Sequence, residues 1–307
     1  MRFTIFSLLL FVPSLAAEAD SEVSGPHAAN PIYRTLVGEG LELEGRRFPF
    51  PSPLIQDGQT AETQQKRLRE LLESDRKVAE FLRDSVSAPF ILKLKDEKTA
   101  GSTVRRADLW FAVHASLDDV DLDSFSKHSA NAKPVEVGNM RFESRLLSAE
   151  DLKERQIENP KADDATKSFS IHQVGRLLDR IHVEGTDQVV VTRSPHSWVI
   201  AARTDRRFDE DPKAPNRWWP IVRRGASEEK GAAKTFPGGA SYVAIHQLQS
   251  APKVLLVEAH FTFAEPQSWF DGAPILRSKI SLIAQDQIRR LRREIAQAKG
   301  RSQAEKP

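Results

Sequence analysis

The feature that most constrains this chain is its last pair of strands. Along Lys253–Ala264, the residues Leu255, Val257, Ala259, Phe261 and Phe263 occupy alternate positions and form one apolar face. Ala240–Gln249 precedes this segment, and Ser250, Ala251 and Pro252 supply a turn between the two. An apolar strand face needs an apolar element laid across it. The chain provides one soon afterwards. Between Ile280 and Ala296, the residues Ile280, Ala284, Ile288, Leu291 and Ile295 form a single helical stripe.

Upstream, the pattern is mostly that of strands. Phe90–Lys95 is a short apolar run. In Arg105–His114, Ala107, Leu109, Phe111 and Val113 share a face. Arg141–Leu147 is a further strand. In Leu177–Arg193, Ile181, Val183, Val189 and Val191 share one face, with Gly185 read as the mark of a bulge. Trp198–Thr204 and Arg217–Arg224 complete the set. Two helical segments interrupt it. Residues 61–84 carry Leu68, Leu71, Leu72, Val78, Ala79 and Leu82 at helical spacing behind a Thr60 cap. Ser148–Asn159 begins with a capping box at Ser148 and Asp151.

This order predicts an α+β fold: a curved, mainly antiparallel sheet against a C-terminal amphipathic helix, with one N-terminal helix. It resembles the helix-grip architecture of StAR-related lipid-transfer domains. The resemblance lies in element order, and no residue is carried over from it.

The domain reading is four-part. Residues 1–19 read as a signal peptide: Arg2, then an uncharged run from Phe3 to Val12, then small residues to Ala19. That run is shorter than the roughly 20 residues of a membrane-spanning helix, and no later stretch approaches one. Residues 20–60, with five prolines and five glycines, read as an irregular lead-in. Residues 61–299 read as a single domain and 300–307 as a polar tail. The expected location is secreted or periplasmic.

Composition removes several chemistries. The 307 residues include no cysteine, which excludes disulfides, thiolate nucleophiles, iron–sulfur clusters and Cys-ligated zinc. A net charge of +2 gives no overall electrostatic case for nucleic acid. The sequence lacks a G-x-S-x-G elbow, an H-E-x-x-H pair, a P-loop, a G-x-G-x-x-G turn and an EF-hand loop. No cofactor or metal is expected.

Three groups of residues remain as site candidates. Leu109, Phe111, Val191, Ile200 and Phe261 lie on apolar strand faces and are expected to wall a pocket. His246, Glu258 and His260, with Tyr242, form a polar set on the final hairpin. It reads first as a solvent-facing sheet face, and otherwise as a metal or proton-transfer group. Trp218 and Trp219 are adjacent on a strand, so they point to opposite faces and one is a candidate surface contact. Residues 277–307 hold nine basic and three acidic side chains, which suits a solvated helix face or a peripheral contact with anionic surfaces.

The leading expectation is a non-enzymatic exported binding protein with an apolar pocket for a lipid-like or other small ligand. Two alternatives are an envelope enzyme using dispersed His and Glu residues and an interaction or scaffold protein of the cell envelope.

Overall fold

Strand and helix periodicities account for nearly all of the architecture in the computed structural model. It describes residues 25–119, 134–157, 166–225, 227–270 and 275–304. The expected signal peptide lies outside them.

The N-terminal segment is less irregular than its prolines suggest. Helix α1 (Pro31–Gly38) follows a 3-10 turn and is capped by Asn30, whose side-chain oxygen accepts from the Tyr33 N–H. The Asn30 amide also donates to the Val190 carbonyl at 2.9 Å, which ties the helix start to the sheet. Proline fits the first helical turn because its missing N–H has no partner there anyway. A hairpin of β1 (Leu41–Leu43) and β2 (Arg46–Phe48) comes next. Gly40, with φ +86, opens it where a Cβ would stand 2.8 Å from the Phe48 carbonyl oxygen.

The helix expected over 61–84 is two helices, α2 (Ala61–Leu72) and α3 (Asp75–Phe81). Glu73 adopts φ +71 and Ser74 caps the second helix, so the chain breaks between Leu72 and the turn that carries Val78 and Phe81. After these come β3 (Phe90–Lys98), β4 (Ser102–Val113), β5 (Val135–Val137), β6 (Met140–Leu146) and α4 (Ala149–Glu154). The Ser148–Asp151 capping box of α4 is formed in both directions.

Next are β7 (Thr166–Leu177), β8 (Ile181–Arg193), β9 (Ser197–Thr204), β10 (Arg217–Arg224), β11 (Ser227–Lys230) and β12 (Lys234–Thr235). The final hairpin is β13 (Gly239–Leu248) and β14 (Ala251–Pro266), and α5 (Ile275–Ala304) closes the described chain. Leu177 ends β7 rather than starting β8. Leu178 and Asp179 both take positive φ and make the turn between them. Gly185 pairs with Gln173 in unbroken register, so it marks no bulge.

Among the described residues, twelve strands form one sheet, with the order β3-β4-β14-β13-β9-β8-β7-β6-β5 and all pairings antiparallel. The sheet is curved, and α5 lies in its concave side. Ile280, Ala284, Ile288, Leu291 and Ile295 join Phe111, Val189, Val191, Ile200 and Val257 in one core. Alternate residues face the other way. Val190, Val199 and Tyr242 pack under α1, and Trp110, Ala112 and Leu256 pack under α2 and α3. Both sheet faces are therefore covered, which explains apolar runs such as Val189-Val190-Val191. The fold is the expected α+β sheet-and-helix arrangement.

Candidate functional site

The site follows from one irregularity in the sheet. The upper part of β8, Asp187–Arg193, pairs with β9. The lower part, Ile181–Glu184, pairs with β10 on the same edge. Gly185 and Thr186 fall between the two partners. The buried Asn216 fills in for the missing strand. Its Oδ1 accepts from the Thr186 N–H at 2.8 Å, and its Nδ2 donates to the Asp205 carbonyl. The Thr186 carbonyl accepts from the Asp205 N–H. The backbone groups are satisfied, yet the sheet splays.

A cavity of about 100 Å³ opens on the concave side at this splay. Phe142, Val183, Phe236, Phe261 and Phe263 provide its apolar wall, and Gln173, Asp187, Thr204 and Ser241 its polar one. Small residues make the room. A Cβ on Gly185 would meet the Phe236 ring at 3.5 Å, and one on Gly175 would meet Val183 at 3.0 Å.

Asp187 is the anomaly in this wall. It shares its face of β8 with Val183, Val189 and Val191. Gln173 Nε2 donates to its Oδ2 at 2.6 Å. Burial pushes its carboxyl up to about 6, hydrogen bonds from Thr204 and Gln173 pull it down, and the charge of Asp205 pushes it further up. Perturbed carboxyls in clefts are frequent markers of functional sites.

Of the five residues expected to wall a pocket, Phe261 lines this cavity. Leu109, Phe111, Val191 and Ile200 instead fill the core against α5 and line none of the cavities described. The stripe on α5 packs on these four residues, so they meet helix rather than ligand. Sequence reasoning missed Phe142, Gln173, Asp187, Thr204, Phe236, Ser241 and Phe263. A signal for Asp187 was present: it interrupts an otherwise apolar alternation two residues after Gly185.

The His246, Glu258 and His260 set lies on the other face and is not exposed to solvent. All three are buried, with Glu258 and His260 at 0% and 1% exposure. Glu258 accepts from the backbone N–H groups of Leu54 and Ile55 and from the Trp110 indole N–H at 2.8 Å. His260 Nδ1 lies 2.5 Å from Asp108, and its Nε2 lies 3.8 Å from Glu258, outside hydrogen-bond range. Burial alone would lower the His260 pKa, but its carboxylate partners outweigh that and raise it to about 9. His246 stands apart from this ion pair, and burial lowers its pKa. The expected solvent-facing reading fails because residues 49–55 lie over this face, with Tyr242 donating to the Pro51 carbonyl at 2.6 Å.

A second buried set holds the lead-in further up the sheet. His27 bridges Thr192 and Ser197 at 2.9 and 2.7 Å, and Ser197 donates to Asp57. Burial lowers the His27 pKa to about 4. Among the described residues, no group of three or more His, Asp or Glu has the geometry to hold a metal ion.

Trp218 is a core residue. It is 2% exposed, edge-on to Trp269, and capped by the Lys234 ammonium 4.9 Å from its ring. Trp219 points to the opposite face, half-buried between His182 and Lys230. On α5, Arg289, Arg290 and Arg293 are exposed. Arg292 turns inward and donates to the Ala88, Pro89 and Ala112 carbonyls, and burial lowers its pKa to about 10. No described helix is long and apolar enough to cross a membrane.

The arrangement defines a sheet-and-helix protein with a partly open cavity on the sheet, lined by strand residues and Phe236. No family model matches the sequence, and no curated protein does. Among solved structures, the chain is similar to the human StarD13 (DLC2) lipid transfer and protein localization domain. That match has 11% identity and a TM-score of 0.34, and covers 74% of this chain and 95% of that one. It is also similar to human STARD10, at 8% identity and a TM-score of 0.35, covering 80% and 84%. A third likeness is to CalU16 from Micromonospora echinospora, at 11% identity and a TM-score of 0.19, covering 68% and 95%. At such scores, what each neighbour binds remains a property of that neighbour.

Proposed function

We propose that this chain is a binding protein that holds a small, mainly apolar ligand in the cavity on the concave face of the sheet. The observation that carries this reading is the cavity itself: four phenylalanines with a few convergent polar groups, set where β8 changes partner. Its size bounds the ligand. Engineered apolar cavities of about 150 Å³ hold one benzene, so about 100 Å³ suits a short branched chain or a comparably small group. A larger, lipid-like ligand needs the Phe236 segment to move outward.

The test is native mass spectrometry of the protein purified from its own host without denaturation, beside Ser241→Phe. Ser241 borders the cavity, and a phenyl ring there fills it. The wild-type protein is expected to carry a small adduct that the folded variant lacks. Its absence from the wild type, or its persistence in the variant, contradicts the reading.

We propose further that the chain is exported. The support is the order of Arg2, the uncharged Phe3–Val12 run and the small residues before Asp20. N-terminal sequencing of the native protein is expected to begin near Asp20, and an intact Met1 would overturn the proposal.

A further inference from the structure

The concave cavity carries more than a size. Its apolar wall is aromatic, with Phe142, Phe236, Phe261 and Phe263, and one carboxylate projects into it, that of Asp187. A lone carboxylate in such a place is costly unless a cation or strong donors meet it. Gln173 and Thr204 supply neutral donors only. The one cationic residue in the cavity wall, Arg203, sits on the opposite face of β9 by alternation and is exposed to solvent. Its hydrogen bonds are thus met by neutral groups, and among the described cavity residues no cation faces its charge. Aromatic ring faces also attract cations, so the phenylalanines favour the same ligand class rather than opposing it.

We propose that the cavity selects small primary amines with an apolar body. The ammonium is held by Asp187 and the hydrocarbon by the phenylalanines. This rests on the reading of the cavity as a ligand site and narrows its chemistry. An alcohol or alkane of the same shape gains the apolar contact but brings no counter-charge to the carboxylate.

The carboxyl titrates in a range that exposes this role. With its pKa at about 6, Asp187 is ionised at pH 7.5 and largely protonated at pH 5, while an alkylamine stays charged at both. Amine affinity must therefore fall as pH falls through about 6. The charged group acting on Asp187 is Asp205, whose repulsion eases on ammonium binding, while Arg203 lies on the other face of β9.

The experiment is titration of the purified full-length protein with isobutylamine and with isobutanol, followed by NMR shifts of cavity residues at pH 7.5 and pH 5. At pH 7.5 the wild type is expected to bind the amine about tenfold or more tightly than the alcohol. Asp187→Asn is expected to erase that advantage, and the wild type at pH 5 is expected to lose most of it. Equal affinities, or an amine preference that survives in Asp187→Asn, overturn the proposal but leave the cavity a ligand site. Binding of neither probe overturns the cavity reading as well.

Discussion

Replacing His260 with alanine is expected to destabilise the fold by about 3–5 kcal/mol at pH 7, the cost of leaving buried charge uncompensated. His260 lies between Asp108, 2.5 Å away, and Glu258, 3.8 Å away, and both carboxylates are buried. Arg106 is buried on the same face, and its guanidinium donates to the Pro49 carbonyl. Arg106 also faces Glu97 at 3.8 Å, and the protonated His260 sets its positive charge against Asp108 and Glu258. Without His260, negative charge is stranded under residues 49–55. Urea unfolding followed by circular dichroism measures the loss.

The same experiment has a pH arm. The folded-state pKa of His260 is about 9, against 6.5 for an unperturbed imidazole. Its contribution is therefore complete below pH 6.5 and is lost as pH rises through about 9. The wild type should lose stability over that window, and His260→Ala should lose much less. A variant as stable as the wild type at pH 7, or an equal slope in both proteins, would show that the ion pair does not hold the lead-in to the sheet.

Arg105→Met is the second large effect, again about 3–5 kcal/mol. Arg105 grips Glu265 with two hydrogen bonds, 2.5 Å from Nε and 2.8 Å from the second guanidinium nitrogen. Its remaining nitrogen donates to Asp96 at 2.8 Å, and Asp96 accepts from Arg277 on α5 at the same distance. One guanidinium thus joins β3, β4 and β14, and Asp96 relays the connection to the start of the helix. Glu265 is 4% exposed and has no water to fall back on once its partner is gone. The double variant Arg105→Met/Glu265→Leu removes both charges and should recover most of the loss. Calorimetric melting of the two variants distinguishes these cases. If the single variant melts with the wild type, the pair is a surface feature of little worth.

Much of this fold was legible because it is written in local periodicity. The alternation of Leu255, Val257, Ala259, Phe261 and Phe263 and the stripe from Ile280 to Ile295 are the two sides of one core. What periodicity could not show was the cover on the second face. Glu258 and His260 sit on a strand whose other face is apolar, which reads as a half-exposed sheet. Their burial depends on Pro49, Pro51, Leu54 and Ile55, about two hundred residues earlier, in a stretch whose contribution is backbone carbonyls and N–H groups rather than an apolar pattern.

The cavity was hidden for a similar reason. Bulky residues such as Leu109 and Phe111 mark where a wall is, and a helix uses that wall. The space lies where side chains are small or polar, at Gly175, Gly185, Asp187 and Ser241, and where β8 exchanges β9 for β10. A change of strand partner is a long-range event with no period. Asp187 could still have been noticed, because a carboxylate among valines contradicts its own strand.

The central claim is that this cavity is open space, ready to receive a ligand. A crystal structure determined under xenon pressure tests it most directly, since xenon enters dry apolar cavities. The expected result is xenon density among Phe142, Phe236, Phe261 and Phe263, with those rings unmoved. A structure with no xenon there, and with the same rings closed together over Gly175 and Gly185, would contradict it.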